Sequence, residues 1–496
     1  MSRVSVGLCL LASTFGVALF SAAPVSAAPP EVPSTEEIFG TVKDLVDIGP
    51  RRTGTPEGKA AADYVQRRLE EYGIETHQEH ATSYSWAPER WGLQVQGETI
   101  DAFPSWHSFT AEPAWTGRFS TGPGGRTAEI VDVGDGAALS VARRNIRGKI
   151  ALFNLRFQVP LAGLAAAADY LYDPRLTLLR DPVALKQANP YITNYNETVK
   201  QLRDGGAVGF IGVLSDYFDS NKYLNEYYRR ARANMPGVWV TRTDGARIRA
   251  LNQAAGGKGS ATITLEGERQ EAQTNTVVGI LPGQSTDTIM IQSHHDSLSP
   301  GAVEDGTGTA EVIALAKAFS SLPLSERKKT LMFTTFDSHF TGYQAHDAFR
   351  QKWLRSGTAP LKIVSNVTLE HVGLQAVTRQ GKLTMSTLPE PRGVFRIGSF
   401  RLKRLIERAI VDNRLERTAV LPVDNLGMPT DASFLTAKPE NGIPVVSFIS
   451  GPIYLYDMAD TLDKVAVKEL RPVAKAFTEV VDGMDDMTPL QMRRGR

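Results

Sequence analysis

From residue 274 onward, short and almost wholly apolar runs alternate with stretches whose apolar residues recur every three or four positions. The runs at 276–281, 288–292, 330–336, 364–370 and 444–449 predict strands, and the periodic stretches at 309–319, 400–412 and 464–484 predict helices. Strands apolar on both faces, alternating with amphipathic helices, imply an α/β fold whose mixed sheet is covered by helices on both sides. The region before residue 274 reads differently. Helical patterns at 36–47 and 57–72 flank a turn at Gly49-Pro50, and strand-like runs follow at 128–133, 149–154, 208–214 and 237–241. Eight of the 14 tyrosines lie between Tyr170 and Tyr228, either packing an irregular insert or walling a cleft.

Composition narrows the class. The chain has 496 residues, 42% hydrophobic and 22% charged, with 55 basic against 54 acidic side chains. That balance excludes whole-chain disorder and gives no basic stripe for nucleic acid. Beyond the N-terminus, no apolar run reaches the roughly 20 residues needed to span a membrane. The N-terminus itself reads as a leader: Arg3, an apolar stretch over 4–20, and Val25-Ser26-Ala27 ahead of Ala28. Cleavage there makes residues 1–27 a signal peptide and the protein secreted; the alternative is a short membrane anchor. The single cysteine, Cys9, falls inside this segment, so no disulfide or thiolate metal site is expected in the mature chain. Asn196 and Asn366 each begin a glycosylation triplet.

The candidate chemistry gathers at predicted strand ends, where ligands bind in open α/β sheets. Five of the eight histidines lie between residues 294 and 371. Ser293-His294-His295-Asp296-Ser297 follows one strand, and Glu304-Asp305 precedes a helix. Asp337-Ser338-His339-Phe340, Glu370-His371 and Tyr456-Asp457 close three others. Imidazoles and carboxylates together suit a divalent ion, zinc above all. Asp296, two residues after His294, is placed to fix that imidazole's tautomer.

These motifs resemble peptidase family M28, zinc aminopeptidase-like enzymes with two co-catalytic ions and an α/β sandwich fold. Segment 49–73 is similar to the family's "G-x-R-x-x-G-T … G", 293–297 to "A-H-x-D-S", and 300–308 to "P-G-A-x-D-N/D-G-S/T-G". Likewise 333–342 corresponds to "F-x-x-F-x-x-E-E-x-G", 369–373 to "L-D-M-x-G", and 456–461 to "Y-H-T-x-x-D-T". Residues 128–266 resemble a protease-associated (PA) domain through Asp132-Val133-Gly134, the stretch 148–152, the stretch 205–211 and Met235-Pro236-Gly237-Val238. After the leader over 1–27, the resemblance implies a catalytic domain formed by 28–110 and 268–496, with a β-rich PA-like insert over 111–267.

Carried over position by position, the resemblance implies His294, Glu304 and Glu370 as one metal site, with Asp296 beside it. The family's Glu-Glu pair reads His339-Phe340 here, and the His of "Y-H-T" reads Asp457. A permuted set then uses His339 as ligand or base and Asp457 as ligand. Asp431 stands in the family's substrate-side loop. His295 and His371, each adjacent to a ligand position, are expected to be packing residues or to support a ligand from outside. The implied activity is hydrolysis of peptide bonds in peptide or protein substrates, with one or two zinc ions. Two alternatives stay open: a catalytically inactive binding or scaffold protein, and a single-metal enzyme acting on another amide.

Overall fold

The apolar runs become a nine-stranded mixed sheet in this computed structural model, which describes residues 30–225, 232–423, 429–436 and 443–493. The expected leader with Cys9, and Tyr227 and Tyr228 of the tyrosine-rich stretch, lie outside the described residues. Four parallel strands form the middle of the sheet in the order Thr330–Phe336, Asp287–His294, Lys362–Leu369 and Val445–Ser450. Nearly every position in them is buried, as a sheet covered on both faces requires. Antiparallel strands Glu75–Glu79 and Thr276–Leu281 extend one edge. Arg392–Ile397, Thr418–Pro422 and Tyr170–Tyr172 extend the other.

Alternation along the strands divides the side chains between two layers. Val277, Ile289 and Ile291 face a layer that includes the mutually packed helices Thr35–Ile48, Pro56–Glu71, Gly308–Ser320 and Val467–Asp485. Val278, Met290, Met332 and Phe336 face Ala345, Phe349 and Trp353 on the opposite side. Helix starts follow local chemistry. Ser34, Thr55 and Ser399 each accept a hydrogen bond from a backbone N–H in the first turn, and Pro56 opens the second helix.

A second sheet carries most of the remaining strands, and its limits correct the expected insert. The strands Thr82–Val95 and Ser260–Gln273 pair antiparallel along almost their whole length, so this sheet begins well before residue 111 and ends after 267. Thr82–Val95 escapes sequence reading because Pro88, Glu89 and Arg90 interrupt its alternation. The expected sparse boundary between two lobes is also corrected. Tyr170–Tyr172 joins the edge of the first sheet, and one hydrophobic cluster runs through both regions. Within it Tyr223 packs on both Trp239 and Tyr456. Asn366 is wholly buried in a central strand, which removes its triplet as an accessible glycosylation site in the folded protein.

The motif residue Arg51 explains why the 49–73 segment accompanies the site. Its buried guanidinium donates to the carbonyls of His295 (2.8 Å), Pro300 (2.9 Å) and Gly301 (2.8 Å), and to Leu45 in the first helix (3.2 Å). Burial lowers its pKa to about 10, against the pull of Asp460 and Asp296, so it stays charged at neutral pH. From the other side, the Asp460 carboxylate accepts from Val303 N (3.0 Å) and Glu304 N (2.9 Å). The loop from 295 to 304 is thereby clamped. Arg51→Met keeps the bulk but orphans several buried carbonyls, and a loss of about 3–5 kcal/mol in urea unfolding is expected. A change under about 0.5 kcal/mol, the size typical of an incidental surface substitution, would contradict the clamp.

Candidate metal centre

Three strands deliver the central side chains. His294 ends Asp287–His294, His339 follows Thr330–Phe336 in a short 3-10 turn, and His371 lies two residues past Lys362–Leu369. Glu304 and Asp305, joined by a cis peptide bond, come from the clamped loop ahead of Gly308–Ser320. All are buried: His294, Glu304, Asp305, Glu370, His371 and Asp431 expose 0–1% of their surface and His339 3%.

The three imidazoles share one logic. Each Nδ1 faces an acceptor: Asp296 O and Oδ1 for His294 (3.1 and 3.2 Å), Asp431 Oδ1 for His339 (2.7 Å), and Ser450 O for His371 (2.8 Å). Carbonyl and carboxylate oxygens only accept, so each Nδ1 carries a proton and each Nε2 turns inward. The inward nitrogens meet Glu304. His371 Nε2 lies 2.6 Å from Oε2, while His294 and His339 Nε2 lie 3.2 and 3.9 Å from Oε1. His294 and His339 stack, with ring centroids 4.0 Å apart.

The electrostatics follow from this crowding. Burial alone would lower the His294 pKa, but Asp431, Asp296 and Glu304 hold it well above the ordinary value. Burial likewise opposes protonation of His371, yet Glu304, Asp305 and Glu370 raise its pKa to about 9. Burial would raise Glu304, and His371 and His294 pull it below the ordinary carboxylate range. Glu370 goes the other way, pushed up to about 8 by burial and by Asp431. Asp305 accepts from Ser293 Oγ, Gly308 N (3.1 Å) and His371 N (3.2 Å), so it shapes the loop around the cluster.

The donor set fits a divalent ion. His294 Nε2, both Glu304 oxygens and His371 Nε2 are buried and make no well-directed hydrogen bond. Potential ligand atoms of His294, Glu304 and His339 lie within 4.8 Å of one another, as do those of His294, Asp305 and His371. Imidazole nitrogen with carboxylate oxygen is a zinc-type donor set.

Several expectations are corrected here. Glu370 Oε1 is engaged by Asp431 N (2.9 Å), which holds the 430–434 segment against the site. Asp457 does not meet His339. Its carboxylate takes hydrogen bonds from Ser220 Oγ (2.7 Å) and Ala459 N (2.9 Å), tethering the segment that carries Tyr223. His371 turns inward, its Nε2 2.6 Å from Glu304 Oε2. The strand ends at Leu369 and His371 adopts φ 60°, so strand alternation no longer sets its direction. His295 faces away, toward Thr335 Oγ1 (3.0 Å), with its pKa lowered to about 4 by burial. Phe340 is buried but packs beside the cluster, 4.9 Å from the His339 ring. Asp296 lies against His294, with Oδ1 3.2 Å from Nδ1. Sequence reasoning missed His346, whose Nε2 lies 2.9 Å from Asp431 Oδ2. Its one signal was a second histidine seven residues after His339 in a histidine-rich stretch.

A buried knot of imidazoles and carboxylates at the carboxyl ends of parallel strands is the layout of a metal centre in an α/β protein. Residues 275–481 match the model of peptidase family M28. The chain is 22% identical over 298 residues to the probable lipoprotein aminopeptidase LpqL of Mycobacterium tuberculosis, covering 58% of this chain and 50% of that relative. The chain thus spans about half the length of that curated relative. The zinc aminopeptidase BSAP of Bacillus subtilis superposes with a TM-score of 0.61 at 17% identity, over 93% of this chain and 99% of that one. An M28 peptidase precursor from Shewanella amazonensis SB2B gives a TM-score of 0.68 at 17% identity, over 92% and 95% of the two chains. These structures share the fold.

The Asp457 carboxylate has a tethering geometry, so Asp457→Ala should cost about 1–3 kcal/mol of stability through its orphaned partners. Its zinc affinity in calorimetric titration should match the wild type. A loss as large as that of His294→Ala would return Asp457 to the ligand set.

Proposed function

We propose that the chain is an exported, single-zinc peptidase of the aminopeptidase type, in which His294, Glu304 and His371 hold the ion and His339 is the proton-transfer group. The observation that carries this reading is the Glu304 carboxylate, whose Oε1 lies 3.2 Å from His294 Nε2 and whose Oε2 lies 2.6 Å from His371 Nε2, while His294 shares one close donor group with Glu304 and another with His371. Two imidazoles and a carboxylate leave a fourth zinc position open, the arrangement of a catalytic site. A zinc ion held there supplies a Lewis acid that polarises a carbonyl and lowers the pKa of water to about 7.

The protein's own groups account for the rest. Asp296 and the Ser450 carbonyl fix the two ligand imidazoles with Nε2 inward. His339 stands further back from Glu304, at 3.9 Å, with Nδ1 bound to Asp431 and Nε2 toward the centre. It is placed to take a proton from the attacking water and return it to the leaving amine. Glu370 accepts from the Asp431 amide and so ties the Asp431 backbone to the site.

The permuted ligand set is smaller than sequence reasoning allowed, because Phe340 and Asp457 occupy the positions where the family resemblance places second-ion ligands. That same substitution supports a second reading, a single-metal enzyme acting on an amide other than a peptide bond. Export rests on the leader sequence, and the PA-like identity of the insert rests on the motifs between residues 128 and 266.

Purified protein should hydrolyse aminoacyl anilides or short peptides only when loaded with zinc, and stripping by a chelator should lower kcat/KM at least about 100-fold, with recovery on adding zinc back. His339→Ala should lose turnover while retaining the ion. Hydrolysis of non-peptide amides alone would favour the second reading, and no zinc-dependent hydrolysis on a broad panel would overturn both.

A further inference from the structure

We propose that His346 is a positioning residue that acts through Asp431 to fix the orientation and tautomer of His339. The inference rests on the reading above that His339 serves the reaction. One carboxylate is shared between two imidazoles, an oxygen to each: Asp431 Oδ1 lies 2.7 Å from His339 Nδ1, and Oδ2 lies 2.9 Å from His346 Nε2. Asp431 and His346 are both fully buried. An ionised carboxylate only accepts, so both facing nitrogens carry hydrogen. With Nδ1 held by Asp431, the His339 ring directs Nε2 toward Glu304.

His346 is itself held by packing. Its ring stacks on Phe336 with centroids 4.1 Å apart and an interplanar angle of 20°. Phe434 and Tyr343 close the slot at 5.2 and 5.1 Å. A side chain walled by three aromatic rings would be most simply an aromatic one. An imidazole there has a cost, because its Nδ1 is buried and makes no hydrogen bond. What the imidazole contributes that a phenyl ring cannot is the second hydrogen bond to Asp431. Without it one carboxylate oxygen is released, the Asp431 side chain can pivot, and the constraint on His339 Nδ1 weakens. The backbone N–H of Asp431 donates to Glu370, so the loop stays in place while the side chain is freed.

His346→Phe fills the aromatic slot and removes only the hydrogen bond. It is expected to lower kcat about 10–100-fold, the scale of lost outer support in such sites, with KM and bound zinc unchanged. His346→Gln places an amide N–H near the position of Nε2 and should restore much of the lost kcat. A readout independent of turnover is the His339 Nδ1–H resonance in histidine-labelled, metal-free protein. It should be sharp and far downfield in the wild type, and lost or in fast exchange in His346→Phe. If His346→Phe fails to fold by circular dichroism, Asp431→Asn serves instead: it offers one acceptor where two are needed and should lower kcat at least as far. Wild-type kcat in the folded variant, an unchanged resonance, or no rescue by Gln would each overturn the inference. The resonance is read without metal, so an inactive wild type would overturn the peptidase reading while leaving this one to be judged on its own.

Discussion

The carboxylate of Glu304, buried to 1% exposure, is the group around which the centre is organised. An isolated charge in such a place is prohibitively costly, and it persists only when paired and hydrogen-bonded or when it binds an ion. Here it is paired by imidazoles, and the remaining architecture keeps that pairing in register. Arg51 and Asp460 pin the loop that carries Glu304, one through its carbonyls and the other through its amides. Asp296, Asp431 and the Ser450 carbonyl each hold one imidazole by its outer nitrogen. These outer contacts come from separate elements, so the centre is assembled by the tertiary fold rather than by any local motif.

The two positions that depart most from the family resemblance have acquired a different physical task. Phe340 contributes an aromatic wall against His339 and, at 5.9 Å, against Tyr456. Asp457 tethers Ser220, and Leu224 N donates to Tyr456 O at 2.8 Å. The segment from 217 to 224 is thereby packed against Tyr456 and Asp457.

Much of the fold was legible in the sequence because buried parallel strands leave an unmistakable apolar record. The runs at 276–281 and 330–336 coincide with observed strands, as does the helix at 400–412. The long pair Thr82–Val95 and Ser260–Gln273 was not legible, since it is half exposed and interrupted by charge and proline. At the site, His294, Glu304 and His339 stood at predicted strand ends or ahead of a helix, and their roles came from the resemblance. His371 could not be named as a ligand, because the alternation argument that set it aside fails once the chain leaves the strand and takes φ 60°. Glu370 and Asp457 were named from the resemblance, and their carboxylates prove to be engaged by the Asp431 amide and by Ser220 and Ala459. His346 had no local signature at all; its partner Asp431 lies 85 residues away in the chain.

The most direct test of the account is the number of zinc ions bound per folded chain, counted by native mass spectrometry on the wild type and on His371→Ala. The account predicts one ion on the wild type and none retained by His371→Ala under the same conditions. Two ions on the wild type, or one ion retained undiminished without the His371 imidazole, would contradict it.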